Sequence, residues 1–386
     1  MTIYLDHAAT APINGAAIEA LNAQMRKVGN ASSLHNPGRS IRKDVEDARH
    51  ALSELVGAAP SEIIFTGSGT EANNLAIKGF FWQSPERNVI VTSAFEHHAI
   101  LDPIEWLVEH ESAEQILIPI TRAGLIDLDF LKAVVASRAA EIAVISIMHS
   151  NNELGAIQPI AEVVNIAREI PVHTDAVQSF GKVEFNFDSL GVTAATISAH
   201  KVGGPLGVAA LILKRGLDLT PILHGGGQER EIRSGTLNAP AIVAFTAAAQ
   251  DAIANREENF RKVRHLRDYF ISRLQVILPD VRINSISDPA LPGILNATFP
   301  GTESDALLLL LDTEGISASA GSACSAGVPR PSHVLMALGL SESDADASLR
   351  LSIGTTNTEK EIDQVLAILP SVVERARNVF VVSELI

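Results

Sequence analysis

Between about residues 60 and 215, short apolar runs alternate with stretches of helical spacing. A run that is apolar throughout predicts a strand buried on both faces, and apolar residues every three or four positions predict a helix. Helical spacing is clear in Glu71–Phe81 and Leu128–Val135. The predicted strands are Ile63–Thr66, Asn88–Thr92, Gln115–Ile118, Ile142–Met148, Val172–Thr174, Ala195–Ser198 and Val208–Leu213.

Strands that alternate with helices predict an α/β fold, because parallel strands need crossover helices that cover both faces of the sheet. We therefore expect a large domain built on a mainly parallel seven-stranded sheet. The pattern then changes to a long charged helix, a strand, a leucine-rich helix and a closing helix. These elements are predicted at Asn255–Leu278, Gly293–Phe299, Glu303–Asp312 and from Glu359 onward.

A chain of 386 residues is too long for one compact core, so two domains are expected. The change of pattern near residue 255 places the boundary. We predict a large domain over residues 13–254 and a smaller α+β domain formed by residues 1–12 and 255–386. In this division the first residues of the chain pack back onto the C-terminal part.

Composition and charge narrow the class of protein. Apolar residues make up 46% of the chain and charged residues 19%, which excludes general disorder. The net charge of −15 argues against non-specific binding to nucleic acid or anionic membranes, since both require a basic surface. The N-terminus lacks the pattern of a secretory signal and no apolar run could span a membrane, so we expect a cytoplasmic protein.

The chain has one cysteine, Cys324, which excludes an intramolecular disulfide and a cysteine-built metal cage, and no metal site is predicted. A lone cysteine is most often a small buried hydrophobic residue. Apart from Cys324, however, the loop from Ser317 to Gly327 consists only of serine, alanine and glycine. It offers no large side chain to anchor it in a core, so a chemical role for Cys324 stays open.

Ligands of open parallel sheets bind beyond the carboxyl ends of the strands, so residues that follow predicted strands are candidates for one site. The turn after the first strand contains Gly67 and Gly69 and leads into a helix. Unpaired backbone N–H groups at such a helix start bind anions, which predicts an anion site in this turn. An equally good alternative is an ordinary glycine turn with Thr70 as the N-cap.

Two further strand ends carry polar side chains. His97 follows one strand and could stack on an aromatic ligand or move protons, although paired histidines in a loop are more often inert. Asn152 follows another strand and offers an amide to a ligand oxygen.

Asp175 and Lys201 follow the next two strands. A carboxylate at the end of a buried strand is costly unless it meets a positive partner, such as a protonated pyridine nitrogen. A lysine in a turn of small residues is suited to form a Schiff base. Each feature alone has an ordinary explanation, but their joint occurrence with the anion turn and His97 favours one cofactor site.

Seven short segments of the chain match sequence motifs of one known protein family. They are Thr70-Glu71-Ala72-Asn73-Asn74, Glu96-His97-His98-Ala99, Asn151-Asn152-Glu153, His173-Thr174-Asp175-Ala176-Val177-Gln178-Ser179, His200-Lys201, Arg233-Ser234-Gly235-Thr236 and Gly321-Ser322-Ala323-Cys324-Ser325. These segments resemble the signatures of cysteine desulfurases of the NifS/IscS type, which are class-V aminotransferases of the pyridoxal-phosphate fold type I. The resemblance runs from Tyr4 to the closing helix. The cysteine loop and Pro331–Leu335 narrow it from the wider fold to the desulfurases.

The resemblance implies how the cofactor, pyridoxal 5'-phosphate, is held. Lys201 would form the Schiff base and Asp175 would pair with the pyridine N–H. Gln178 and Asn152 would contact the ring hydroxyl, and His97 would stack on the ring. The phosphate would be held by Gly69, Thr70, Ser198 and His200, joined by Thr236 from the partner subunit of a homodimer.

The resemblance also implies the reaction, in which L-cysteine becomes L-alanine and its sulfur passes to Cys324 as a persulfide. Arg350 would bind the substrate carboxylate, since its planar fork matches that group, and Asn152 would also contact the substrate. Without the resemblance we would expect Arg350 to form a surface ion pair. Lys201 would move the α-proton, and His97 is a candidate to help deprotonate the thiol. The sulfur would then go to acceptor or scaffold proteins, as in iron–sulfur cluster assembly.

Other functions stay open at this point. A selenocysteine lyase or another pyridoxal-phosphate enzyme of the same fold would not require Cys324, and a non-catalytic sulfur-relay protein would not require Lys201 and Asp175. The resemblance does not identify the sulfur acceptor. Arg330 stands where many relatives carry an acidic residue, and the chain ends at Ile386 without the longer tail of some relatives.

Overall fold

The computed structural model describes residues 2–321 and 331–383 of the chain. Its strands are β1 (Ile3–Tyr4), β2 (Ile63–Thr66), β3 (Val89–Ser93), β4 (Glu114–Ile118), β5 (Ile142–Ser146), β6 (Val172–Asp175), β7 (Ala194–Ser198), β8 (Ala209–Leu213), β9 (Arg282–Ile283), β10 (Ile294–Thr298), β11 (Ile316–Ser317) and β12 (Ser348–Ser352). Its helices are α1 (Gly15–Met25), α2 (Asn36–Val56), α3 (Gly69–Gln83), α4 (His98–Glu111), α5 (Leu128–Arg138), α6 (Ile160–Ala167), α7 (Phe187–Leu190), α8 (Ala239–Ala254), α9 (Arg256–Ile277), α10 (Ser304–Thr313), α11 (His333–Ala337), α12 (Glu342–Asp346) and α13 (Glu359–Ser383).

The central sheet has seven strands in the order β2-β8-β7-β6-β5-β3-β4. Strand β8 runs antiparallel to both of its neighbours, whereas the other adjacent pairs are parallel. Every residue of β2, β3, β5, β6, β7 and β8 is buried, which explains why these strands are apolar runs rather than alternating patterns. The predicted α/β fold with a mainly parallel seven-stranded sheet is confirmed.

The parallel register of β3, β5, β6 and β7 brings their carboxyl ends to one edge of the sheet. Helix α3 follows β2 and packs against the sheet. As a result, the turns that follow five strands open into the same space, which is where the open-sheet rule places a ligand.

The first hydrophobic core packs on the central sheet, and a second hydrophobic core lies apart from it. It contains Ile3 and Leu5 from the start of the chain together with apolar residues of α9, β10, β12 and α13. Strand β1 pairs in parallel with β11, which fastens the N-terminal segment to this second core. The predicted smaller α+β domain requires a core that the first residues share with the C-terminal part of the chain, as this second core is. The boundaries of that domain at residues 12 and 255 stay a prediction.

Within residues 2–321 and 331–383, none of the helices combines the length and the apolar character that crossing a bilayer demands.

Candidate active site

A cavity of about 310 Å³ lies at the carboxyl ends of the sheet strands. Thr236 lines a separate surface groove, and Cys324 lies outside the described residues. The predicted site residues that line the cavity are Gly69, Thr70, His97, Asn152, Asp175, Gln178, Ser198, His200, Lys201 and Arg350. Folding of one chain therefore gathers residues that are up to about 280 positions apart in the sequence.

The anion turn connects β2 to α3. The N-cap of α3 is Ser68, whose Oγ accepts a hydrogen bond from the backbone N–H of Glu71 at 3.1 Å, so the alternative with Thr70 as N-cap is wrong. A Cβ atom added to Gly69 would lie 3.2 Å from Val177 Cγ2 and 3.7 Å from Ser198 Cβ. Glycine thus keeps room at the start of a 15-residue helix, where backbone N–H groups and the helix dipole favour an anion.

Asp175 ends β6 and is buried. Its Oδ2 accepts a hydrogen bond from Asn73 Nδ2 at 2.7 Å, and its Oδ1 accepts one from the backbone N–H of Val177 at 2.9 Å. Two donors fix the plane of the carboxylate, and each oxygen keeps a further lone pair. The group is therefore an oriented acceptor for a ligand N–H.

Lys201 ends a single turn of 3₁₀-helix, Ala199–Lys201, that follows β7. Its Nζ donates to the carbonyl oxygens of Ala8 at 2.5 Å and Ala9 at 2.8 Å. The N-terminal segment thereby holds the amine at the rim of the cavity, in contact with neutral acceptors.

His97 caps the N-terminus of α4, and its Nδ1 accepts a hydrogen bond from the backbone N–H of Ala99 at 3.0 Å. Burial lowers the pKa of His97, although the charge of Asp175 acts in the opposite direction. The ring is therefore neutral near pH 7. Because Nδ1 accepts a hydrogen bond, we assign the ring hydrogen to Nε2.

Arg350 reaches the cavity from β12, on the second core. One guanidinium nitrogen donates to Asp6 Oδ1 at 2.8 Å and another donates to the carbonyl oxygen of Asn152 at 3.3 Å. Its Nε is buried without a hydrogen-bond partner among the described residues. Only 2% of Arg350 is exposed. Arg350 does form an ion pair, with Asp6, but the alternative that it lies on the surface is wrong.

Gln178 and His200 are two further predicted site residues that line the cavity. Gln178 Nε2 donates to the carbonyl oxygen of Ala8 at 2.8 Å. The ring of His200 lies 3.3 Å from Thr10 Oγ1, and burial, aided by the charges of Lys201 and Lys182, lowers the pKa of His200 to about 4. His200 is therefore uncharged at neutral pH and acts toward an anion as a hydrogen-bond donor, not as a cation.

The sequence analysis missed three polar residues near the site. Asn73 orients Asp175, and Ser150 lines the cavity with its buried Oγ unpaired among the described residues. Burial, together with the charge of Asp175, raises the pKa of Glu96 to about 8, and its carboxyl group accepts hydrogen bonds from Ser93 and the backbone N–H of Met148. Asn73 and Glu96 lie within motifs already named and Ser150 directly precedes one, which is the signal that was available although no role was predicted for these residues.

The cavity fits pyridoxal phosphate on the chemistry of its donors and acceptors. An anion-binding helix start lies on one side, a carboxylate acceptor for a ring N–H on another, and a primary amine at the rim. The buried Ser150 Oγ and Arg350 Nε offer polar atoms that need partners. Fold and site together define a pyridoxal-phosphate enzyme built on an open α/β sheet.

Comparison with known proteins narrows this class. The family "Aminotransferase class-V" matches residues 3–365. A protein of Mycobacterium tuberculosis named "IscS-like cysteine desulfurase" is 47% identical over 382 residues, which cover 97% of each chain. "Cysteine desulfurase IscS" of Dictyoglomus turgidum is 40% identical over 98% of this chain and 96% of its own.

Solved structures agree. A "NIFS-LIKE PROTEIN" aligns with a TM-score of 0.89 at 32% identity over 97% of this chain and 99% of its own. A NifS-like protein from Rickettsia africae aligns with a TM-score of 0.87 at 34% identity over 97% of this chain and 100% of its own. The chain belongs to the class-V aminotransferase family, among the cysteine desulfurases of the NifS/IscS type. This family depends on pyridoxal phosphate, as the cavity requires.

Proposed function

We propose that this desulfurase converts L-cysteine to L-alanine and stores the sulfur as a persulfide on Cys324. The observation that carries the proposal is the convergence of the Lys201 amine, the Asp175 carboxylate and the Arg350 guanidinium on one cavity. These groups supply a base, an acceptor for a ring N–H and a receptor for a carboxylate, which are the parts needed to act on the α-carbon of an amino acid.

The cavity residues divide the work of holding the cofactor. Gly69 and Thr70 begin α3, Ser198 lies beside Gly69, and these three residues would hold the phosphate together with His200, which lines the same cavity. Asp175 would accept the ring N–H, and Gln178 and Asn152 would bind the ring oxygen. When bound, pyridoxal phosphate stabilises negative charge at the substrate α-carbon. His97, neutral and with Nδ1 occupied by Ala99, is better suited to stack on the ring than to take up a proton.

Arg350 would orient the substrate, and Lys201 would transfer its α-proton. Asp6 and the Asn152 carbonyl fix two guanidinium nitrogens of Arg350, so its fork is preorganised for the carboxylate of L-cysteine. The Lys201 amine would remove the α-proton and return a proton as alanine forms. The carbonyl oxygens of Ala8 and Ala9 accept hydrogen bonds from this amine and so fix its position at the rim of the cavity.

Sulfur transfer requires a thiol, and Cys324 is the only cysteine in the chain. A free thiol has a pKa of about 8.5, so attack on the substrate sulfur needs help with deprotonation. The balance is L-cysteine plus the Cys324 thiol giving L-alanine plus the Cys324 persulfide; the carbon–sulfur bond breaks as the sulfur–sulfur bond forms.

The described residues on either side of the Cys324 segment meet beside the cavity. Ser332 Oγ donates to Glu153 Oε2 at 2.5 Å, and a Cβ atom on Gly321 would lie 2.8 Å from the same oxygen. Glu153 directly follows Asn152, which lines the cavity. Gly321 and Ser332, the described residues on either side of the Cys324 segment, therefore lie next to the substrate site, which supports the role of Cys324.

The proposal includes a cytoplasmic homodimer in which Thr236 reaches the phosphate of the partner subunit. Thr236 and Met25 line the same surface groove, away from the cavity of their own chain. Met25 is 66% exposed and Val28 is 85% exposed, an apolar surface that a second subunit would cover. The persulfide would pass to sulfur-acceptor or scaffold proteins, such as those of iron–sulfur cluster assembly.

Replacing Lys201 by alanine tests the central role. The variant should stay folded but lose cysteine-dependent alanine formation, because no other amine can replace Nζ at that position. Alanine release and circular dichroism are the measurements. Lys78→Ala is the matched control, since Lys78 is also half-buried but lies over the ring of Trp106, outside the cavity. Substantial alanine formation by Lys201→Ala would show the assignment to be wrong.

A further inference from the structure

A half-buried lysine that the mechanism above does not use, Lys182, lies behind Lys201. It lines a second cavity, of about 220 Å³, which contacts both cores and shares Lys201 and Ala8 with the cofactor cavity. The preceding Gly181 has φ +73°, and a Cβ atom there would lie 2.9 Å from Val202 Cγ1. Glycine is therefore required at position 181, and it fixes the path of the chain into Lys182.

Among the described residues, the Lys182 ammonium has one hydrogen-bond partner, Gln178. Lys182 Nζ donates to Gln178 Oε1 at 3.2 Å, and Gln178 Nε2 donates to the Ala8 carbonyl, which also accepts from Lys201 Nζ. The four groups form a continuous chain from Lys182 to Lys201. None of the ion pairs between described residues includes Lys182.

This chain determines which way the Gln178 amide faces. With Oε1 toward the Lys182 ammonium and one N–H toward Ala8, the second N–H of Gln178 stays available inside the cofactor cavity. A flipped amide would place its NH₂ group against the ammonium, where two donors face each other. Without Lys182, Gln178 loses one of the two contacts that favour the orientation its proposed role requires, and only the contact to the Ala8 carbonyl remains.

The charges around Lys182 are mostly of its own sign. Burial, aided by the charges of Lys201 and Arg350, lowers the pKa of Lys182 to about 7. His7 and His200 also face Lys182, and burial lowers the pKa of each to about 4, so both are neutral. A cation held this way without a carboxylate is costly, which favours a functional reason for its presence.

We propose that Lys182 is a positioning residue, which orients the amide of Gln178 and places a second positive charge beside Lys201. The inference rests on the proposed roles of Lys201 and Gln178. Repulsion between two like charges is mutual, so a charged Lys182 disfavours a proton on the Lys201 nitrogen. Lys182 carries that charge below about pH 7 and loses it as the pH rises through its pKa.

The test compares Lys182→Met and Lys182→Arg with the wild-type holoenzyme. The first readout is the pH midpoint of the visible absorbance of the resting holoenzyme, measured without substrate. In Lys182→Met the midpoint should move to higher pH, because a positive neighbour has been removed. In Lys182→Arg it should not rise, because the charge is retained at every pH.

The second readout is cofactor affinity. Lys182→Met should release pyridoxal phosphate about three- to tenfold more readily, the equivalent of one ordinary hydrogen bond, because the Gln178 amide loses one of the two contacts that orient it. Lys182→Arg should restore most of the loss. Lys78→Met is the control, because Lys78 is another half-buried lysine whose pKa is lowered by burial, but it lies outside both cavities.

If Lys182→Met matches Lys78→Met in both midpoint and affinity, the proposal is overturned. Should Lys182→Met fail to fold, the pH dependence of Lys182 acylation in the wild-type holoenzyme decides, measured by peptide mass spectrometry. The acylation rate should reach half its maximum near pH 7. A half-maximal rate near pH 10.5 would refute the charge argument. Failure of the proposed function is seen separately, as retained activity in Lys201→Ala.

Discussion

Individual polar atoms without partners mark the active cavity. Ser150 Oγ, Asn73 Oδ1 and Arg350 Nε are buried and unpaired among the described residues, and all three side chains line the cavity. Leaving a buried polar group unsatisfied costs about 1–3 kcal/mol, so native proteins seldom tolerate several together. A ligand that supplies their partners removes this cost, which links the stability of these residues to binding.

At the residue scale, Cys324 decides between sulfur transfer and other chemistry. Cys324→Ser should bind the cofactor normally, since no cofactor contact is assigned to this residue, but it should not form alanine and persulfide. A serine hydroxyl is neither ionised at neutral pH nor able to hold a persulfide. Wild-type protein treated with L-cysteine should gain one sulfur atom on the Cys324 peptide, removable by reductant and detected by mass spectrometry.

Ser332→Ala is a useful comparison for Cys324→Ser, because it removes a contact to Glu153 at the edge of the same segment while leaving the thiol in place. It should slow sulfur transfer without abolishing it. Sulfide release by Cys324→Ser at the wild-type rate would favour a lyase that needs no cysteine.

At the element scale, two ion pairs attach the loop that contains Glu229 and Arg233 to its neighbours, one to α2 and β2 and the other to the anion turn. Arg49 of α2 forms a two-fold pair with Glu229 at 2.7 and 2.8 Å, and the Glu229 carboxylate also accepts from the backbone N–H of Phe65 in β2. Arg233 donates to Glu71 at 2.7 Å, and Glu71 accepts from the backbone N–H of Gly67. The loop that leads to Thr236 and the turn at the start of α3 are therefore one rigid unit.

Arg49→Met should destabilise this unit strongly. It leaves the carboxylate of Glu229, which is 2% exposed, without its cation, and breaking a buried pair in this way costs about 3–5 kcal/mol. The double variant Arg49→Met/Glu229→Gln should recover part of the loss, because no lone buried charge remains. Urea unfolding followed by circular dichroism measures the free energy of unfolding.

Arg138→Met is the matched control for this prediction. Arg138 pairs with Glu114 and Glu141 on the surface, where screening by solvent makes ion pairs weak. A loss for Arg49→Met no larger than that for Arg138→Met would mean that the Glu229 pair does not hold the loop.

At the scale of the whole molecule, the active cavity depends on both cores. Lys201 and Asp175 come from the sheet, whereas Arg350 comes from β12 and is fixed by Asp6 near the start of the chain. Relative displacement of the two cores would separate the proposed carboxylate receptor from the proposed base. Ala8 accepts hydrogen bonds from Lys201 and Gln178, and Ala9 accepts one from Lys201, so the N-terminal segment links the two halves.

The proposed homodimer gives a prediction at this scale. Sedimentation should show a dimer at micromolar concentration, and Val28→Glu should weaken it, because the substitution places a charge in an apolar surface that is 85% exposed in one chain. Activity should fall with dimer content if Thr236 serves the partner's cavity. Leu309→Glu, at an apolar residue of α10 that is 67% exposed, is the control and should leave the dimer intact. A fully active monomer would contradict the proposal.

The sequence by itself determined the seven strands of the central sheet to within two residues at either end, but it did not predict long helices such as α2 and α8. Runs such as Ile63–Thr66 are apolar because both faces of the strand are covered, and this local pattern survives without knowledge of the fold. The prediction for Ile142–Met148 ran too far, since β5 ends at Ser146 and the Met148 N–H turns to the carboxyl group of Glu96. The class of cofactor site was also predictable, because parallel strands bring the residues after their ends together.

Only the tertiary structure decided which partners orient those residues. The ion pair between Arg350 and Asp6 joins positions 344 residues apart, and Lys201 is held by backbone carbonyls whose chemistry is the same at every position. Neither contact leaves a local pattern, because each depends on how two cores pack. The hydrogen bond from Lys182 to Gln178 is also decided by the tertiary structure. The four-residue spacing between the two residues is visible in the sequence, but the burial of Lys182 near the charges of Lys201 and Arg350 arises only on folding. That burial is what gives Lys182 its proposed chemical importance.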